Sequence, residues 1–264
     1  MPQIHETAVI DKSAKIANNV VIGPYSVVNG GVTLEEGVEI KAHVYLDGTT
    51  RIGRNTVVWP GAVIGTKPQD LKYRGEKTYV EIGENCEIRE CVTINASCGE
   101  GSVVRVGSGC LIMAYAHIAH NCELGDRVIM ANSAALAGHV IVEDSAVIGG
   151  LSAVHQFARV GCYAMVGGMS RVSYDVLPYS IGAGIPFRFG GLNRVGLKRH
   201  GFSFETRLML SRVFRMLYRM GLSLESALEK IEKEVEMLPE VLHILAFCRS
   251  SKRGLIRDES FRKG

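Results

Sequence analysis

The sequence has no apolar run long enough to cross a bilayer, no CxxC pair and no basic segment leading into an apolar one at its start. The first absence argues against a helical span and against stable membrane insertion. The opening MPQIHETAVID therefore reads as part of a fold rather than as a secretory leader. Seven cysteines, an odd and scattered set, do not make a disulfide framework. They are expected to be reduced thiols of a cytoplasmic protein. Charge of one sign is also scarce: a net +3 over 264 residues gives no reason to expect nucleic acid as a partner.

A repeat fills the space these absences leave. From Ile4, every sixth residue is a large aliphatic: Ile10, Ile16, Ile22, Val28, Leu34, Ile40, Leu46, Ile52, Val58 and Ile64. The register resumes at Ile82, Ile88 and Ile94, and again from Val106 through Ile112, Ile118, Leu124, Met130 and onward to Val172. Two residues before each later stop is a small or β-branched residue, as in Ala116, Cys122 and Ala134. A period of six fits neither the 3.6 of a helix nor a long strand. It fits short strands joined by turns, with stop and stop-minus-two both facing inward. Three hexads close a triangular coil of 18 residues, and the coils stack as a parallel β-helix. The pattern lapses near 66–80 and 95–105, which are expected to be loops thrown out from the coil.

Stacking predicts outward columns. One is Leu111, Ile129, Val147, Met165; the second is His117, Ala135, Ala153, Arg171; the third is Arg105, Glu123, Ile141, Arg159. The first is apolar and the third alone reads as a water-facing surface. A prism with one apolar face suits a head-to-tail ring, hence a homotrimer. The hexads stop near Asp175, and a Gly/Pro-rich connector follows. The division expected is a coil domain over 1–190 and a helical domain over 191–264. Helices are expected over Phe204–Met220 with Gly221 as the terminating glycine, over Leu224–Met237 capped by Ser223, and from Pro239 to near Gly254. Arg207, Arg212, Arg215, Arg219, Lys252 and Arg253 make this tail basic, a docking surface for an acidic partner or a solvated face.

The stretch HIAHNC (117–122) lies on this frame. His117 and His120 both face out, and Gly138 and Gln156 stand 18 and 36 residues past His120, one and two rungs of ~4.8 Å away. His139 is likewise one rung from Asn121, and His155 joins the same edge. A neutral imidazole suits proton abstraction from an alcohol, and Gly138 offers a backbone N–H one rung away for a developing oxyanion. That pair is what acyl transfer to a hydroxyl requires. Cys122 occupies an inward position and is read as core, not as a nucleophile. A zinc site needs three converging ligands, and a cleft between two copies could supply them.

The hexad run, KPQDLKY (67–73), HIAHNC, AGHV (137–140), VHQF (154–157), MVGG (165–168), GLKRHGF (196–202) and RGLIR (253–257) together resemble the UDP-N-acetylglucosamine O-acyltransferases of lipid A biosynthesis. The resemblance covers essentially the whole chain. It implies a left-handed parallel β-helix with a helical C-terminal domain, a homotrimer with sites between subunits, and transfer of an (R)-3-hydroxyacyl group from acyl carrier protein to the glucosamine 3-hydroxyl of UDP-GlcNAc. It implies that His120 is the general base and Gly138 the oxyanion donor. Gln69, Asp70, Lys72, His117, His139, His155 and Gln156 are implied as substrate contacts, and Asn193 and Arg199 as nucleotide contacts. Gly168 is implied as the limit on acyl chain length. No metal or dissociable cofactor is implied, because the phosphopantetheine arrives on the carrier. Asn121 stands where many relatives have Asp, and His200 where KRRGF is common. Rival readings are transfer to a 3-amino sugar nucleotide, the related N-acyltransferase of the same pathway, a zinc-dependent γ-type carbonic anhydrase and a non-enzymatic solenoid.

Overall fold

The computed structural model describes residues 1–256, so Arg257 of RGLIR lies outside them. Strands of mostly two residues, such as Leu111–Ile112, His117–Ile118 and Glu123–Leu124, alternate with turns. They stack into three parallel sheets, the three faces of a left-handed β-helix. The first face runs from Gln3–Ile4 to Met165–Val166, the second from Val9–Ile10 to Arg171–Val172 and the third from Lys15–Ile16 to Arg159–Val160. Crossovers between parallel strands are usually right-handed because twisted strands feed them. Strands of two residues are too short to accumulate that twist.

Register follows the hexads. Leu111 pairs with Ile129, Ile129 with Val147 and Val147 with Met165. His117, Ala135, Ala153 and Arg171 form the second ladder, and Arg105, Glu123, Ile141 and Arg159 the third. Each coil hangs on the next by backbone bonds, for example His117 N–H to the Ala134 carbonyl at 2.9 Å. Inward residues are sealed: Ala116, Ile118, Cys122, Val128 and Met130 are all 0% exposed. The third residue past most stops turns the corner in the left-handed region, at φ 58° for Asn121, 61° for His139 and 64° for Phe157. An L-residue there costs roughly 1–2 kcal/mol, offset by the ladder the corner permits.

Both lapses in the repeat leave from one corner. Residues 67–78 depart after Val63–Thr66 on the second face and return at Tyr79–Ile82 on the third. Residues 96–102 depart after Thr93–Asn95 and return at Val103–Val106. Ile52 consequently pairs with Ile82, and Ile82 with Val106, so each insertion preserves the phase of the coil.

The first face ends in an antiparallel hairpin, Ser180–Ala183 with Arg188–Leu192. Among the described residues four helices follow: α1 (Arg194–Arg199), α2 (Phe204–Arg219), α3 (Leu224–Glu234) and α4 (Pro239–Arg249). Ser203 and Ser223 cap α2 and α3 through the Thr206 and Ser226 N–H groups, and Pro239 opens α4. The connector contains a helix the pattern did not reveal: α1 is short and capped by Asn193. The last two helices are shorter than expected. Val235 is extended (φ −118°) and ends α3. Past α4, the Ser251–Ile256 segment folds back so that Asp175 N–H reaches the Gly254 carbonyl (2.9 Å) and Ile256 N–H reaches the Asp175 carbonyl (3.0 Å).

The third column is only partly a water-facing surface. Arg105 and Glu123 are exposed, but the Arg159 side chain is only 19% exposed, against the fully buried Asp175 carboxylate (Nε–Oδ2 3.2 Å). Its guanidinium also donates to the Phe247 carbonyl and Ser250 Oγ and stacks 4.0 Å from the Phe247 ring. This is where α4 docks on the coil. Removing one member of a buried ion pair strands the other. Asp175→Ala is therefore expected to lower unfolding free energy by about 3–5 kcal/mol in urea titration. A loss under 1 kcal/mol would mean that Arg159 finds water instead.

Candidate active site

The second-to-third-face corner carries the histidine edge. His120 Nδ1 lies 2.8 Å from Asn121 Oδ1. The orientation of that amide is fixed by the backbone of Cys98, whose N–H donates to Oδ1 (3.2 Å) and whose carbonyl accepts from Nδ2 (3.1 Å). Since Asn121 presents an oxygen, His120 Nδ1 must carry the hydrogen, and the neutral ring keeps its lone pair on Nε2. Nε2 faces Asp70 Oδ2 at 3.6 Å, too long for a direct hydrogen bond. The Lys72 N–H, donated to Asp70 Oδ1 at 2.9 Å, holds the Asp70 carboxyl below the usual range; burial opposes this, and the charges of His120 and Lys72 add to it.

Gly138 passes directly against the His120 ring. A Cβ at Gly138 would stand 2.5 Å from His120 Nε2 and closer still to Cε1. Among the described residues no acceptor takes the Gly138 N–H. His139, whose N–H donates to the His120 carbonyl (3.0 Å), sets its ring edge-on to His120 at 5.3 Å and stacks on Phe157 at 4.6 Å. Burial pushes the His139 imidazole pKa down, and neighbouring His120 pushes it further.

Glu76 ties the two loops together. Its carboxylate accepts the N–H of Arg74 (2.7 Å) in its own loop and of Gly99 (2.9 Å) in the other. Those backbone donors, with its own N–H, hold its pKa down at about 2. A depressed carboxyl contributes stability above its ordinary pKa of 4.5 that is lost as pH falls through about 2. Protection of the Gly99 amide against hydrogen exchange should accordingly persist at pH 4 and disappear only toward pH 2, and Glu76→Gln should weaken it at pH 7. Protection lost by pH 4.5 in the wild-type chain would contradict a charge-held clamp.

The remaining residues named from the sequence are not gathered at one point. His117 lies on the second face, its Nδ1 2.7 Å from Thr93 Oγ1, with its pKa lowered by burial. His155 and Gln156 are exposed at the His120 corner, and Arg253 of the tail reaches His155 Nδ1 at 2.9 Å. Gln69 and Lys72 are exposed on the first loop. Gly168 is on a different corner, between the first and second faces, a rung from the Gly150 backbone. Asn193 bonds the Tyr163 carbonyl at 2.9 Å, on the third corner, while its Oδ1 caps α1. Arg199 is exposed at the end of α1. Sequence reasoning missed Glu76, Cys98, Thr93 and Phe157. Phe157 alone had a signal, since it stands one coil beyond His139. Among the described residues of one chain, the donors found within 4.8 Å of one another are Glu143, Cys162 and His243, away from the histidine edge.

A coil of hexads bearing such a corner is the architecture of a hexapeptide-repeat transferase, and the model "Bacterial transferase hexapeptide (six repeats)" matches residues 13–48 and 103–138. The model "Udp N-acetylglucosamine O-acyltransferase; Domain 2" matches residues 175–256. The acyl-[acyl-carrier-protein]–UDP-N-acetylglucosamine O-acyltransferase of Chlamydia caviae is 56% identical over 258 residues, 97% of this chain and 92% of that protein. Among solved structures, the UDP-N-acetylglucosamine acyltransferase of Bacteroides fragilis superposes with a TM-score of 0.94 at 41% identity, covering 97% of this chain and 100% of that one. That of Francisella novicida gives 0.95 at 36% identity, covering 98% and 96%. The chain belongs to the UDP-N-acetylglucosamine O-acyltransferase family.

Proposed function

We propose that this chain transfers an (R)-3-hydroxyacyl group from acyl carrier protein to the 3-hydroxyl of UDP-GlcNAc, with His120 as general base. The observation that carries the reading is the His120 hydrogen bond: Asn121 Oδ1, held by Cys98, accepts from Nδ1 and leaves Nε2 against the Gly138 backbone. The sugar hydroxyl gives its proton to Nε2 as its oxygen attacks the thioester carbonyl. The oxyanion that develops meets the Gly138 N–H. When the C–S bond breaks, the imidazolium returns its proton to the departing thiolate of the carrier. Asp70 opposes Nε2 closely enough to favour the transient imidazolium. No resident cofactor is invoked, because the thioester arrives on the carrier's own phosphopantetheine.

The homotrimer belongs to the same proposal. One chain places His120, Gly168 and Asn193 on three different corners of the prism, and a three-fold ring would bring corners of neighbours into one cleft. An apolar edge supports such contact: Tyr115, Leu151 and Met169 are each about two-thirds exposed on the first-to-second-face corner, beside Leu111, Ile129, Val147 and Met165. Lys252 and Arg253 line a groove of about 540 Å³ with Asn121, His139 and Phe157, a basic approach for an acidic carrier protein. Seven free thiols suit a cytoplasmic enzyme, and among the described residues no helix is long and apolar enough to cross a membrane.

An acyl-transfer assay with UDP-GlcNAc, its 3-amino analogue and carriers bearing different acyl lengths tests the reading. His120→Ala is expected to lose at least about 100-fold in turnover while keeping its circular dichroism; retained activity would remove His120 from the base role. Gly138→Ala, whose methyl displaces the imidazole, should lose activity comparably. A near-normal rate in that variant would argue against the close approach of Gly138 to the His120 ring.

A further inference from the structure

A second cluster lies away from the histidine edge, on the corner between the third and first faces. Glu143 follows the stop Val142, Cys162 stands two past the stop Val160 on the next coil, and His243 comes from α4. Their side-chain donor atoms, one carboxylate oxygen, one thiol and one imidazole nitrogen, all lie within 4.8 Å of one another. We propose that Glu143, Cys162 and His243 bind one divalent transition-metal ion, of which zinc fits the donor set best, and that the ion staples α4 to the coil.

The donor set carries the choice of metal. Thiolate and imidazole favour zinc over magnesium or calcium, which take oxygen ligands. Zinc bonds of about 2.0–2.3 Å in a tetrahedron place ligand atoms about 3.3–3.6 Å apart. Glu143 Oε2 and His243 Nε2 are now hydrogen-bonded at 2.7 Å, so the ion would replace the shared proton and open that pair by about 0.6–0.9 Å. Both side chains have room to do so, at 24% and 39% exposed. Glu143 Oε2 is also oriented by the Cys162 N–H at 2.9 Å, the kind of outer bond that fixes a ligating carboxylate. Three protein ligands leave a fourth position, which opens on a cavity of about 540 Å³ lined by Glu123, Ile141, Asp144 and Tyr163 and suits a water. The site shares no residue with the His120 corner.

Cobalt(II) titration of the full-length protein under reducing, anaerobic conditions tests this. The expected result is one cobalt per chain, with a near-ultraviolet thiolate-to-cobalt band and the intense visible bands of a four-coordinate ion, both bleached by zinc. Cys162→Ser should remove the near-ultraviolet band, and Glu143→Gln, which keeps the thiol, should weaken cobalt binding about tenfold or more. Zinc should raise Tm in the wild-type chain and by less in either variant at the same metal concentration; should Cys162→Ser fail to fold, Glu143→Gln alone decides. Absence of the thiolate band in the wild-type protein, its survival in Cys162→Ser, full-affinity binding by Glu143→Gln, or a Tm indifferent to zinc would overturn the site.

Discussion

The backbone ladder between successive coils is the constraint on which the molecule depends. Each strand pairs with the strand one turn before and one turn after, so no coil can slip by a residue without turning its inward aliphatics to water. The two long insertions satisfy this rule by their lengths: Ile82 finds Ile52 below it and Val106 above it. The chain can thus depart from the coil twice and return in phase. Both departures are made from the corner that carries His120, so the walls of the site come from the same segments that interrupt the repeat.

Much of this was legible because a ladder converts spacing into position. Once the period of six is read, residues a coil apart must be neighbours, and Gly138 beneath His120 or Arg159 beside Ile141 follows by counting. The orientation of Asn121 was not legible. It depends on Cys98, whose place is set by the path of a loop outside the repeat. Glu76 escaped for the same reason, since nothing in its spacing relates it to Gly99. Helix α1 escaped because six residues are too few to show a period, and its glycine reads as a loop residue.

The docking of the helical segment shows where counting fails altogether. Arg159 looks like one more surface charge in its column, yet it closes on Asp175, Phe247 and Ser250 together. Glu143 and Cys162 are ordinary corner residues until α4 brings His243 over them. Contacts between a repetitive part and a non-repetitive part have no sequence spacing of their own, and here they combine the buried Arg159–Asp175 pair with an apolar cluster in which Leu177 and Tyr179 meet the helices.

The two ends of the coil are unequal. The far end is closed by the hairpin, with Phe187 and Ile256 packed into the core. At the near end, Ile4 is 44% and Val9 62% exposed, and the first fully enclosed aliphatic is Val20. In a stack where each layer touches only its neighbours, stability adds layer by layer. The opening turn has one neighbour where every interior turn has two, so it is the layer that frays first. Its only support is the second turn, so a substitution that loosens the second turn loosens the first with it.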